Sequence, residues 1–333
     1  MRMSSDWMSW MGCVLGAAVL CGPVSGAENI DVTLDWVVSG YHAPFFIAQE
    51  KGYFQKEGLN VNVRRGFGSG RTVKDVGTGA STIGYADAGT MIKGFAEGLD
   101  LKLVAMVYSR NPMVIVSDAA KGIKTPKDLV GKSLGDTKGA ATSVFMPVVF
   151  ETAGVDLGKV RVVHRSPAME DIFLIEGKVD ASTDYYFSSV AAYGWPDGRK
   201  TNTIWYSDYG VDIYGIGIMA TPKTIKEKPA VIRGFLKAVF TAYKDMRSNP
   251  EEAIAILLKH KPELKSARDV ELAKIKAVWQ VILTDDIRQK GYGYINPDKL
   301  GKTRDLVVNL YGVKKEIPLD AIYTNEFLPG IKP

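Results

Sequence analysis

Past residue 21 the sequence holds no cysteine at all; its two cysteines are Cys13 and Cys21, and it has only three histidines in 333 residues. A long chain without thiols excludes a disulfide scaffold, a cysteine nucleophile and cysteine-ligated zinc. The histidines, His42, His164 and His260, stand far apart, and no H-x-x-x-H spacing occurs, so no metal-ligand signature is present. No G-x-S-x-G serine motif occurs either. Charge of one sign is never blocked: 42 Lys+Arg against 37 Asp+Glu give a formal net charge of +5, and the densest basic spots are Arg64-Arg65 and Lys314-Lys315. A nucleic-acid surface would want a basic stripe interleaved with aromatics, which is lacking. No repeat of 20–50 residues is visible. Glycine (34) and proline (15) follow no short period, which excludes collagen-like and low-complexity chains.

Both cysteines fall in an N-terminal stretch of distinct character. Arg2 precedes an apolar run over 8–20, followed by Gly22-Pro23 and small residues. Val24-Ser25-Gly26 and Ser25-Gly26-Ala27 both carry the small −3/−1 spacing of a signal-peptidase site. Residues 1–27 therefore read as a secretory signal peptide cleaved before Ala27 or Glu28, with an uncleaved anchor as the alternative; the run is shorter than the ~20 residues of a span. Loss of the leader removes Arg2 and Asp6 together and leaves the balance unchanged. No later segment has 18 uncharged apolar residues. The expectation is an exported, periplasmic, monomeric protein that needs no cofactor.

What remains, 46% hydrophobic and 24% charged, is ordinary globular composition, long enough for two lobes. Strand and helix patterns alternate. Segments 30–35 and 59–64 alternate apolar and polar; 82–85, 101–108, 133–134, 161–163, 181–183, 203–206 and 213–219 read as further strands, and the register changes after 113–117. Helices are expected over 44–57, from about 71, and over 90–98, 140–153 and 168–176. From Thr221 the chain is mostly helical. Such alternation predicts α/β architecture with parallel sheets. Two runs of it place one lobe at 28–112 with 214–333, and the second at 113–213, with a ligand cleft between.

In open parallel sheets ligands sit beyond the C-terminal strand ends. The residues there are Trp36, Tyr41 and His42, then the loop Gly66-Phe67-Gly68-Ser69-Gly70, then Asp87 and Thr90, then Tyr108. The second run supplies Thr137, Gly139, Ala141 and Thr142 at a helix start, then Asp184 and Tyr185; the returning strand supplies Tyr214. The set is aromatic and polar with few formal charges, as suits a small flat molecule. The glycine loop fits neither G-x-x-x-x-G-K-[ST] nor G-x-G-x-x-G; its free amides could still hold an anionic or carbonyl oxygen. Asp87 and Asp184 are read as acceptors for ligand amines rather than as an acid/base pair.

Leu34-Asp35-Trp36, Tyr41-His42-Ala43-Pro44-Phe45-Phe46, Glu50-Lys51-Gly52-Tyr53-Phe54 and Glu57-Gly58-Leu59 together resemble the opening of the NMT1/THI5-like family. Lys124-Thr125-Pro126-Lys127-Asp128-Leu129 resembles its segment opening the second lobe, and Asn249-Pro250-Glu251-Glu252-Ala253 one of its C-terminal helices. The resemblance implies a two-lobed type II periplasmic-binding-protein fold with two crossover segments. It also implies a solute-binding component of an ABC importer, working with a permease and its ATPase. In the pyrimidine-binding branch the tryptophan stacks on the ring and acidic groups accept from its amine, which puts Trp36 and His42 in the site. Sulfonate, nitrate and aromatic-carboxylate binding remain alternatives, with Arg71 or Arg110 as the neutralising cation. The enzyme branch, which makes the pyrimidine from its own histidine, relies on a cysteine-rich segment for iron that this chain lacks.

Overall fold

A computed structural model describes residues 26–333, apart from the side chains of Glu170 and Asp171; nearly all of the expected leader lies outside the described residues. Among the described residues ten strands form two five-stranded sheets. The first holds β1 (Glu28–Thr33), β2 (Leu59–Arg64), β3 (Ile83–Asp87), β4 (Lys102–Met106) and β10 (Ile216–Ala220), in the order β2-β1-β3-β10-β4. The second holds β5 (Met113–Asp118), β6 (Ser133–Asp136), β7 (Arg161–His164), β8 (Ala181–Tyr185) and β9 (Thr201–Trp205), in the order β7-β6-β8-β5-β9.

The alternation read from sequence has its cause in burial. Leu59 and Val61 of β2 face the core while Asn60 and Asn62 face solvent. Strands β3 and β10 are buried along their whole length, as central strands covered on both faces must be. The sheets are mixed, however, and not parallel as expected. β1 pairs parallel with β2 and β3, but β10 runs antiparallel to β3 and β4. β5 likewise runs antiparallel to β8 and β9. In each sheet the odd strand is the one the chain enters on crossing from the other sheet, so its direction is set by the crossing and not by a preceding helix.

The two crossings, 107–112 and 211–215, lie side by side. The Gly215 amide donates to the Tyr108 carbonyl (3.0 Å), and Asn111 Nδ2 donates to the Val211 carbonyl (3.1 Å). A Cβ on Gly215 would stand 3.0 Å from both Pro112 Cδ and Tyr108 Cβ, so glycine permits the close approach of the two segments.

Helix 44–57 of the sequence reading is two pieces, Ala43–Glu50 and Tyr53–Lys56, broken at Gly52, whose φ of 68° is left-handed. Helices Pro229–Ser248 and Pro250–His260 share one core with the first sheet and with Ala43–Glu50 and Tyr53–Lys56, through Phe45, Phe54, Phe235, Leu236 and Leu257. Arg268–Ala277 touches the 40–42 turn of the first sheet and the Val190–Tyr193 turn of the second, so it straddles the cleft. Among the described residues no helix is long and apolar enough to cross a membrane.

Candidate functional site

The segment after β1 is held down by the glycine loop. Gly66 and Gly68 donate to the carbonyls of Trp36 and Asp35 (both 2.8 Å), and Thr72 Oγ1 donates to that of Leu34 (2.7 Å). A Cβ on Gly66 would fall 2.1 Å from the Leu34 oxygen, so no other residue fits there. Across the cleft the start of helix Ala141–Thr152 comes up against the same loop. The Gly70 amide donates to the Gly139 carbonyl at 3.1 Å, and a Cβ on Gly68 or Gly70 would lie 3.0 or 3.1 Å from that oxygen. The loop thus serves as the contact between the two sheets' loops. The amides of Gly66, Gly68 and Gly70 are spent on protein carbonyls.

Inside this contact lies a narrow slot of ≈ 30 Å³. Asp35, Trp36, Tyr41 and Ser69 line it from the first sheet's side; Ala140, Ala141, Thr142, Asp184, Tyr185 and Ser188 line it from the second's. Trp36, Tyr41 and Ser188 are shared with an outer recess of ≈ 190 Å³ that opens past Val37, Val38, Pro167 and Ala168. Two buried carboxylates face the slot, one from each side: Asp35 and Asp184, both 4% exposed. Asp184 Oδ1 accepts from the Tyr185 amide and from Ser188 Oγ (both 2.6 Å). Ala141 and Thr142 open an uncapped helix, so first-turn amides lie at the slot. No Lys or Arg is among the described residues lining it. The chemistry on offer is aromatic faces plus acceptors, suited to a flat molecule bearing N–H donors.

The residues read from sequence fall into three places. Trp36, Tyr41, Ser69, Ala141, Thr142, Asp184 and Tyr185 stand on the slot. Gly70, Thr90 and Gly139 line a separate depression of ≈ 450 Å³ beyond the Gly70–Gly139 contact. The others stand behind, with Gly68 in that contact and the Thr137 hydroxyl buried without a hydrogen-bond partner among the described residues. His42 is wholly buried and bonds Asp35 Oδ1 through Nε2 at 2.9 Å. Tyr108 lies in an aromatic cluster, its ring 5.0 Å from Phe187 and 6.1 Å from Tyr85. Tyr214 points among the C-terminal helices, where its hydroxyl accepts from the Asn296 amide (2.7 Å).

Asp87 caps helix Ala88–Ala96: Oδ1 accepts from the Thr90 amide (2.7 Å) and hydroxyl (2.9 Å), and the Asp87 amide donates to Ser69 Oγ (3.1 Å). Its Oδ2 has no hydrogen-bond partner among the described residues. Burial pushes the Asp87 carboxyl up to about 7, against the pull of the Thr90 bonds. Asp87 therefore supports Ser69 from below, and Thr90 spends its hydroxyl on Asp87. Arg71 is exposed and paired with Asp75 (2.7 Å), and Arg110 lies with its guanidinium 5.5 Å from the centre of the Trp205 ring; neither lines the slot. Asp35 and Ser188 went unread as site residues in the sequence. Asp35 was assigned to the strand, which ends two residues earlier, at Thr33.

A family model described as NMT1/THI5 like matches residues 39–253. The formylaminopyrimidine-binding protein of Halalkalibacterium halodurans is 25% identical over 238 residues, 71% of this chain and 72% of its own length. The 4-amino-5-hydroxymethyl-2-methylpyrimidine phosphate synthase of Legionella pneumophila is 21% identical over 312 residues, 91% of this chain and 93% of its own. The solved periplasmic aliphatic sulphonate binding protein SsuA from Escherichia coli superposes with a TM-score of 0.64, covering 90% of this chain and 99% of that one at 18% identity, a likeness of fold. The chain has the two-lobed type II periplasmic-binding-protein fold and belongs to the NMT1/THI5-like family.

Proposed function

We propose that this protein is the exported solute-binding component of an ABC importer and that its solute is a flat, amine-bearing heterocycle of the aminopyrimidine class. One lobe comprises 28–112 with 214–333 and the other 113–213; they close on the solute and hand it to a permease and its ATPase. The observation that carries the reading is the pair Asp35 and Asp184, one from each side of an aromatic slot with no Lys or Arg among its described lining residues. An anion there would meet two carboxylates, and desolvating it without a cation is costly. A solute that donates to both carboxylates favours the closed state by the contacts it adds. The likeness to a formylaminopyrimidine-binding protein supports the same solute class.

An enzyme reading also has a relative, the pyrimidine phosphate synthase. The binding reading is preferred because the chain beyond Cys21 has no thiol to hold iron. Stoichiometric iron and turnover in the purified protein would overturn it.

The experiment is a thermal-shift and calorimetric screen of 4-amino-5-hydroxymethyl-2-methylpyrimidine, riboflavin, an alkanesulfonate, nitrate and benzoate. The aminopyrimidine should raise the melting temperature by mass action, and Trp36→Ala should cost ~1–3 kcal/mol of its binding, the scale of base–aromatic stacking. Arg71→Ala and Arg110→Ala should leave it unchanged. Tight binding of an anion, lost on either arginine substitution, would sink the reading.

A further inference from the structure

His42 does not reach the slot, yet both of its ring nitrogens are committed. Nδ1 lies 3.1 Å from the Ser39 amide, which can only donate. Nδ1 therefore accepts, in the manner of the reciprocal half of a capping box, and the proton sits on Nε2, where it is donated to Asp35 Oδ1 at 2.9 Å. The turn that aims the Ser39 amide is itself fixed. Ser39 Oγ donates to Glu271 Oε2 (2.7 Å), the Gly40 amide donates to the same oxygen, and Glu271 Oε1 accepts from Lys274 (3.0 Å). Ser39, His42, Asp35 and Glu271 are all less than 5% exposed. A buried chain of hydrogen bonds thus runs from helix Arg268–Ala277 to a carboxylate at the slot. It occupies Oδ1 of Asp35 and leaves Oδ2, which no described group bonds.

We propose that His42 is a positioning residue for solute recognition: it holds Asp35 with Oδ2 offered to the slot as the acceptor of a solute N–H. The proposal rests on the reading of the solute as an amine-bearing heterocycle. The imidazole, held in one tautomer, makes the carboxylate a fixed acceptor and selects for donors at that edge of the ring. A histidine packed there for shape alone would show no such preference.

The test uses the full chain and two probes of like shape, 4-amino-2-methylpyrimidine and 2,4-dimethylpyrimidine, the second lacking the donor. His42→Phe should weaken the amino probe by about tenfold or more, the scale of a hydrogen bond to a charged group, and change the dimethyl probe by less than about twofold. His42→Gln, whose amide can accept from Ser39 and donate to Asp35, should retain most of the affinity. Asp35→Asn combined with His42→Phe should be no worse than Asp35→Asn alone, because the two act through one contact. Equal losses for both probes overturn the positioning role and leave the solute class standing. Failure of the unaltered protein to bind any amine-bearing heterocycle overturns the solute class. Nitrogen NMR of the His42 ring reads the tautomer independently of ligand and of any variant's folding; a proton on Nδ1 overturns the proposal.

Discussion

Asp87 carries an electrostatic cost in a single buried side chain near the slot. Its carboxyl is buried, one oxygen lacks a hydrogen-bond partner among the described residues, and burial pushes it up to about 7 from an ordinary value of 3.8. Well below its ordinary value of 3.8 the group is protonated in both folded and unfolded chains and costs nothing. As pH rises toward 7 the unfolded chain ionises first, so stability is lost through that window and the loss is complete above it. Asp87→Asn keeps the carbonyl that caps helix Ala88–Ala96, since Asn and Asp cap about equally well. The variant should match the unaltered protein near pH 3, below the ordinary value, and exceed its stability at pH 8 by on the order of 3–5 kcal/mol, read by urea unfolding at the two pH values. A variant with the same pH slope as the parent would show that Asp87 ionises freely in the fold. Such a role was not legible in sequence. Asp87 and Asp184 both stand at strand ends, and only the packed structure distinguishes the one that caps a helix from the one on the slot.

At the scale of elements the sequence was far more informative. Every strand but β5 has a counterpart among the segments read as strands, because a half-buried strand alternates and a central one is apolar throughout. Strand direction was hidden, since β10 reads the same forward or backward and only its place after a crossover makes it antiparallel. Helix-to-helix contact was hidden too. Gly89, in helix Ala88–Ala96, looks like a propensity defect, yet a Cβ there would fall 2.4 Å from Phe145 Cζ of helix Ala141–Thr152. The glycine lets a helix over one sheet pack against a helix over the other. Gly89→Ala gains up to ~1 kcal/mol in helix propensity but overpacks this contact, a change that costs ~1–3 kcal/mol. The expected result is net destabilisation in urea, largely relieved in the double variant with Phe145→Leu. A single variant more stable than the parent would mean that Phe145 moves aside freely.

For the whole molecule, the missing cysteines become an experimental opening. Closure as proposed brings the Gly70 and Gly139 loops together, and a Cβ at Gly70 would lie 3.8 Å from Gly139 Cα. The two Cα atoms are then no more than about 5.3 Å apart, inside the range a disulfide spans. With Cys13 and Cys21 replaced by Ser, Gly70→Cys with Gly139→Cys introduces a thiol pair that has no competitor. The left-handed φ of 82° at Gly139 imposes a cost of ~1–2 kcal/mol on the new side chain, too little to unfold a chain of this size. Oxidation in the presence of the solute should trap it, slowing release by orders of magnitude. Oxidation without it should block uptake, and reductant should restore exchange in both cases. Small-angle scattering should find the oxidised protein equally compact with and without solute, and the reduced one more compact only with it. Free exchange through the oxidised protein would mean that solute enters without the two loops parting, and the two-lobed capture argued from Asp35 and Asp184 would fall with it.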